Sequence, residues 1–159
     1  MPPPGYEHTH PIRNGTMLLT GLYRETHDVA VQCPLDLGQT SEPQPDFALQ
    51  AKRYRFGIAR GTVPAKALPT TADLIIEVSY SSLAFDRKEK AALYAKAGTP
   101  EYWVIDVVNQ KVEVYRDPGP VPDKPGTFAF GTRQVFEPSQ SVQPVKVPGP
   151  SCPLARFFD

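Results

Sequence analysis

The segment 72–79 (ADLIIEVS) constrains the fold more than any other stretch of the chain. Its alternation puts Leu74, Ile76 and Val78 on one face of a strand and Ile75, Glu77 and Ser79 on the other. The strand is apolar on both sides apart from one carboxylate, and an unpaired carboxylate in such surroundings is costly. Glu77 therefore resists a purely structural account. Further strands gather around this one. Residues 28–34 (DVAVQCP) alternate Val29, Val31 and Cys33 against Ala30 and Gln32, and residues 46–51 (DFALQA) read as the next strand, opened by Pro45. Residues 101–108 and 111–116 give two more, joined at Asn109-Gln110 in a two-residue hairpin position. Residues 127–130 and 134–136 suggest a second hairpin.

Helices are fewer. Residues 16–25 place Leu18, Leu19 and Leu22 on one helical face, with Gly15 and Gly21 each weakening it by about 1 kcal/mol relative to Ala. Residues 6–14, which hold His8 and His10, offer no clear element. A second helix follows the central strand. Ser81 or Ser82 caps it, Gly98 stops it, and Asp86, Lys90 and Tyr94, four apart, line one side. Nineteen prolines in 159 residues are more than twice the usual share of roughly 5%. They fall mainly in connections, so loops are stiff and long regular elements few. The order of helix, strands, helix and strands describes an α/β or α+β fold with a mixed sheet, not a doubly wound one. One domain over residues 1–159 suits the length, because such a chain buries roughly 70% of the surface that its unfolded form exposes. Leu154, Phe157 and Phe158 are expected to pack a short terminal turn onto the sheet.

Seventeen basic residues cancel 17 acidic ones, so any capture of phosphates falls to a local patch. The best patch lies in residues 52–71, where Lys52, Arg53, Arg55, Arg60 and Lys66 meet no acid; a solvated loop accounts for it equally well. No stretch approaches the roughly 18 apolar residues of a membrane span, and the first residues lack a signal-peptide pattern. The expectation is a soluble cytoplasmic protein. Cys33 and Cys152 have neither CxxC spacing nor a spaced His pair, and read as two small buried apolar residues. Ser79, Ser81 and Ser82 lack a Gly-x-Ser-x-Gly frame, and no Gly-rich loop precedes a helix. A serine hydrolase and a nucleotide-binding fold are therefore without support. Asp106 reads as a satisfied polar group at a strand end, and Tyr94 and Trp103 as packing.

Three groups remain for chemistry: Asp46 at a strand start, Glu77 inside an apolar strand, and Lys90 on the helix that leaves it. Two carboxylates on neighbouring strands suit a hard cation, since Mg²⁺ takes one or two carboxylates and keeps waters for a substrate phosphate. Such an ion lowers the pKa of bound water and offsets the charge that builds on a phosphate oxygen. A lysine beside them can orient the attacking water or hold the phosphate. Residue by residue, Asp46 also fits a turn, and Lys90 fits an i, i+4 partner of Asp86.

The stretches QPDFAL (44–49) and 72–118, with IIEV, Ser-Ser-Leu, Asp-Arg-x-x-Lys, LYA and PEYWVID in order, resemble the bacterial Uma-two family of restriction endonucleases. That family is a branch of the PD-(D/E)XK nuclease superfamily, and weaker similarity extends over residues 25–159. The resemblance implies an αβββαβ restriction-endonuclease-like core with C-terminal hairpin additions. It implies that Asp46, as the PD aspartate, and Glu77 bind Mg²⁺, with Mn²⁺ as an alternative, helped by the backbone carbonyl of Val78. The superfamily's lysine normally stands two residues after the glutamate, where this chain has Ser79; Lys90 matches the lysine moved onto the following helix. The implied activity is hydrolysis of DNA phosphodiester bonds; the basic patch then offers Lys52, Arg53, Arg55 and Arg60 as DNA contacts, and the exposed hairpin edges suit a homodimer that cuts two strands. Family members carry a further N-terminal segment before the point where this chain opens, and His8 matches a family histidine. A nuclease-like scaffold that binds DNA or a protein without cutting is the alternative.

Overall fold

Four buried residues spaced four apart, Pro11, Gly15, Leu19 and Tyr23, form the inner face of the first helix, α1 (Tyr6–Tyr23). The computed structural model describes residues 5–38, 42–52, 70 and 72–159. The helix starts ten residues earlier than the leucine pattern predicts. Pro11 removes one intrahelical hydrogen bond and lowers the local propensity, but its ring is buried with the rest of the stripe. Gly15 is needed for approach: a Cβ there would lie 2.6 Å from Cζ of Phe47 and 2.9 Å from Cε1 of Phe157. Tertiary packing thus decides a segment whose own sequence argues against helix.

Six strands follow in one sheet, in chain order: β1 (His27–Val31), β2 (Phe47–Ala51), β3 (Leu74–Ser79), β4 (Glu101–Asp106), β5 (Lys111–Pro120) and β6 (Phe128–Phe136). All neighbours are antiparallel except β3 and β4, which run parallel. A parallel pair needs a crossover. Here it is helical throughout, as α2 (Leu83–Phe85), a π-helical turn (Asp86–Lys90) and α3 (Ala91–Lys96). Gly98 ends it with φ of 76°, the left-handed geometry of a helix stop.

The alternation expected of β3 sorts its side chains between two cores. Leu74, Ile76 and Val78 join Leu19, Tyr23, Phe47, Trp103, Ile105, Val112 and Val114 under α1. Ile75 joins Ala48, Tyr94, Tyr102, Val104 and Tyr115 under α3. The tail closes the first core: β7 (Ser141–Val142) pairs with β8 (Cys152–Pro153), and a 3₁₀ turn (Leu154–Phe157) buries Leu154 and Phe157 as expected.

Several expectations need correction. The β4–β5 connection is a four-residue turn, because Asp106 pairs with Lys111 and Gln110 takes a φ of 50°. Residues 128–130 and 134–136 belong to one strand, β6, which pairs with an extended β5 on both sides of Gly131; Gly131 lies close to the Asp117 backbone. Cys152 is buried, but Cys33 is exposed beyond the end of β1. Arg53, Arg55, Arg60 and Lys66 lie outside the described residues, and Lys52 directly follows β2.

Two buried carboxylates on β4 and β5 are fully partnered. Glu101 accepts from the Trp103 indole at 2.7 Å, from Arg116 at 3.1 Å and from the Val145 amide at 2.7 Å. Glu113 accepts from Arg87, Arg133 and the Tyr115 hydroxyl. Burial pushes the Glu113 carboxyl up, but the hydrogen bonds from Arg87, Arg133 and Tyr115 outweigh it and hold the pKa at about 2, below the ordinary 4.5. A carboxyl depressed in the folded state stabilises above its unfolded pKa, and that contribution is lost as pH falls from about 4.5 toward 2. Acid unfolding of Glu113→Gln, followed by circular dichroism, should therefore have a shallower limb over that interval. An unchanged limb would show that Glu113 keeps an ordinary pKa.

Candidate active site

Antiparallel pairing of Phe47 with Ile76 sets the next residues outward, Asp46 and Glu77, side by side on the face toward α3. Both are buried, at 6% and 2% exposure. The Asp46 amide donates to Oε2 of Glu77 at 3.3 Å, and the Val78 amide donates to Oδ2 of Asp46 at 2.8 Å. Lys90 reaches the same place from the π-helical turn, with Nζ 3.1 Å from Oε1 of Glu77 and 3.3 Å from Oδ1 of Asp86. The structure therefore brings together Asp46, Glu77 and Lys90, with the Val78 backbone between the two carboxylates.

Four further residues complete the cluster. Tyr94, expected only to pack, donates its hydroxyl to Oε1 of Glu77 at 2.7 Å. Asp86 is buried and held by the Ser82 hydroxyl at 2.7 Å, so Ser82 binds a side chain and not the helix backbone. The spacing of Asp86, Lys90 and Tyr94 was the signal for both. His8 of α1 places Nε2 3.5 Å from Oδ2 of Asp46, and Gln32 donates to Oδ1 of Asp46 at 3.3 Å. Gln32 carried no sequence signal, and His8 only its match to a family histidine; both come from segments distant along the chain. Ser79 is buried with a hydroxyl that has no hydrogen-bond partner among the described residues. Asp106 is satisfied by the backbone and side chain of Asn109, as expected.

The electrostatics of the cluster are set by burial. Burial raises the Glu77 carboxyl to about 7; Lys90 opposes this, Asp46 adds to it, and the Tyr94 hydrogen bond opposes it. Burial would push the Lys90 ammonium down, but Glu77 and Asp86 hold it above its ordinary value. Burial, with Glu77 beside it, drives the Tyr94 hydroxyl far above its usual range, so it acts as a donor. The arrangement is a positive charge fixed next to two carboxylates that repel one another. A group that titrates near neutrality in a buried polar cluster marks a functional candidate.

Among the described residues, no three His, Cys, Asp or Glu side chains group as metal ligands. The donor set is instead all oxygen. Each carboxylate has one well-anchored oxygen, Oδ2 of Asp46 and Oε1 of Glu77, and one bonded only at 3.3 Å. In an extended strand the N–H and C=O of one residue leave on the same side, so the Val78 carbonyl lies on the side of Asp46. Two carboxylates and a carbonyl fit a hard cation that completes its coordination with water.

A mixed sheet with one parallel pair, a helical crossover and an acidic pair where β2 meets β3 defines a restriction-endonuclease-like fold. The family described as "Putative restriction endonuclease" (Uma2) matches residues 1–143, and the chain belongs to it. A "putative nuclease" from Anabaena variabilis, solved by crystallography, superposes with a TM-score of 0.65. It is 19% identical, and the match covers 99% of this chain and 83% of that one. No curated protein matches the chain. No described helix is long and apolar enough to cross a membrane.

Proposed function

We propose that the chain is a metal-dependent endonuclease that hydrolyses phosphodiester bonds of DNA, with Asp46 and Glu77 as ligands of Mg²⁺ or Mn²⁺. The meeting of Asp46, Glu77 and Lys90 at one end of β2 and β3 carries this reading. A divalent cation held there supplies a water of lowered pKa and offsets charge on the phosphate. The protein's own groups do the rest. Tyr94 and Lys90 fix Oε1 of Glu77, and the Val78 amide fixes Oδ2 of Asp46, so the loosely bonded oxygens remain for the ion. Lys90 has three N–H donors and two carboxylate neighbours; the third donor serves the attacking water or a phosphate oxygen. Fixed charges of this kind act without reorganising at the moment of reaction.

A ligand that binds only the native state stabilises it, by about 2.7 kcal/mol at a hundredfold excess over Kd. Thermal unfolding in EDTA, Mg²⁺ and Mn²⁺ should therefore show a rise in Tm with either ion, and Asp46→Asn should abolish the rise. Nicking of supercoiled plasmid should follow the same dependence. Folded protein with neither shift nor nicking would sink the reading. One observation favours the non-cutting scaffold: Lys90 already neutralises Glu77 without any ion. DNA retention that ignores metal, with no nicking, is the outcome that would select it.

A further inference from the structure

We propose that Arg87 and Arg133 form a phosphate-binding clamp beside the catalytic cluster, which grips the nucleic-acid backbone next to the bond that is cut. The inference rests on the nuclease reading above and adds a binding site to it. The register supplies the placement. Glu77 pairs with Val104, Val104 with Glu113, and Glu113 with Val135, so these four form a row across the sheet. Residues paired in register share a face, and that face also carries Tyr94, Tyr102 and Tyr115. At roughly 4.8 Å per strand, Glu113 lies two strands, about 10 Å, from Glu77.

Glu113 is 1% exposed, and two guanidinium groups converge on it from different elements. Arg87 comes from the same π-helical turn as Lys90 and donates through Nε at 2.8 Å and through Nη2 to Oε1. Arg133 comes from β6 and donates through Nη2 at 2.8 Å to that same oxygen, with Nε 3.4 Å from Oε2. Tyr115 adds its hydroxyl to Oε2 at 2.6 Å and meets Nε of Arg133 at 3.3 Å. One carboxylate thus holds two cations, and a positive charge is left over. Both guanidiniums remain partly open to solvent, at 39% and 46% of the side chain. Neither has another partner among the described residues, and Nη1 of each is unused.

Two like charges packed against one oxygen repel each other, and a single arginine would have sufficed to neutralise Glu113. A second, half-exposed arginine whose orientation is locked by a buried carboxylate and a tyrosine matches what phosphate recognition needs. Guanidinium donors form paired hydrogen bonds to phosphate oxygens, and little side-chain entropy is lost when they are already fixed. Arg87 directly follows Asp86, the partner of Lys90, on the same π-helical turn, which sets the clamp beside the cluster.

The test is DNA retention by a Glu77→Gln protein in Mg²⁺, measured by fluorescence anisotropy from low to moderate salt. Removing Arg87 and Arg133 alone would leave Glu113 buried and unpaired, so the informative variant carries Arg87→Gln, Arg133→Gln and Glu113→Gln together. It loses one net positive charge. The slope of log K against log salt should become shallower by about one unit, as expected for one lost phosphate contact. Arg24→Gln removes the same charge at the far end of α1, where Arg24 is exposed, and should leave the slope unchanged. Equal slopes for the triple variant and its parent overturn the clamp alone. A Glu77→Gln parent that retains no DNA also overturns it, and cleavage by the wild-type protein then decides separately whether the nuclease reading survives.

Discussion

Glu77→Gln is expected to lower metal-dependent nicking of supercoiled DNA by about a thousandfold or more while leaving the protein folded. The magnitude follows from the several kcal/mol that a metal ion contributes to charge stabilisation, at about 1.4 kcal/mol per tenfold in rate. The fold should survive because the substitution is isosteric and the amide oxygen still accepts from Tyr94, now 2.7 Å from Oε1. Glu77 is also a buried carboxyl raised to about 7, so a neutral side chain there relieves desolvation rather than adding to it. Plasmid nicking beside a thermal melt separates the two effects. Unchanged cleavage in the variant would remove Glu77 from the site, whatever the melt shows.

Trp103→Ala is expected to have the largest effect on stability, a loss of about 3–5 kcal/mol. Domains of this kind hold about 5–15 kcal/mol in total, so the variant should be near its unfolding threshold. Trp103 is fully buried under α1 and among the largest such side chains. Its indole N–H donates to Glu101 at 2.7 Å, and Glu101 in turn accepts from Arg116 and from the Val145 amide of the tail. Truncation therefore opens a cavity and loosens the anchor of the C-terminal segment. Urea unfolding gives the measurement, with Trp103→Phe as the companion that keeps most of the volume but leaves Glu101 short of a donor. A loss below about 1 kcal/mol for the alanine variant would show that the core collapses around the gap.

Glu77 was legible because β3 is short and apolar on both faces, so a charge in it stands out whatever the tertiary structure; Asp46 also fitted a turn and was singled out by the family resemblance. Lys90 was legible in part through its spacing from Asp86 and Tyr94, and in part through family resemblance. The structure adds that Asp86 and Lys90 lie on a π-helical turn, a wider coil common at functional sites, with Tyr94 in the α-helix after it. A 3.6-residue period does not anticipate that turn. The first half of α1 was not legible, since Pro11 and Gly15 both argue locally against helix, and only contact with Phe47 and Phe157 explains them. The contacts of His8 and Gln32 with Asp46 were hidden for the same reason, although His8 matched a family histidine. Each meets Asp46 through long-range packing, and sequence periodicity reports only on neighbours. β6 was broken in two at Gly131 because a glycine inside a strand pattern reads as a turn; its pairing along an extended β5 overrides that reading.

The parallel pairing of β3 with β4 has a consequence for how the cluster comes into being. Asp46, Glu77, Asp86, Lys90 and Tyr94 all precede the end of α3, so a nascent chain carries every one of these groups before β4 has been made. Until then β3 has one unpaired edge, and α3 lacks Tyr102 and Val104 beneath it. Closing a crossover must precede the contacts that reward it. β2, β3 and the crossover carry every contact among these charges, while β4 supplies the packing beneath α3. A chain halted after α3 would hold the whole cluster but lack Tyr102 and Val104, the floor on which α3 rests, so the rigidity of the cluster depends on a strand made after it.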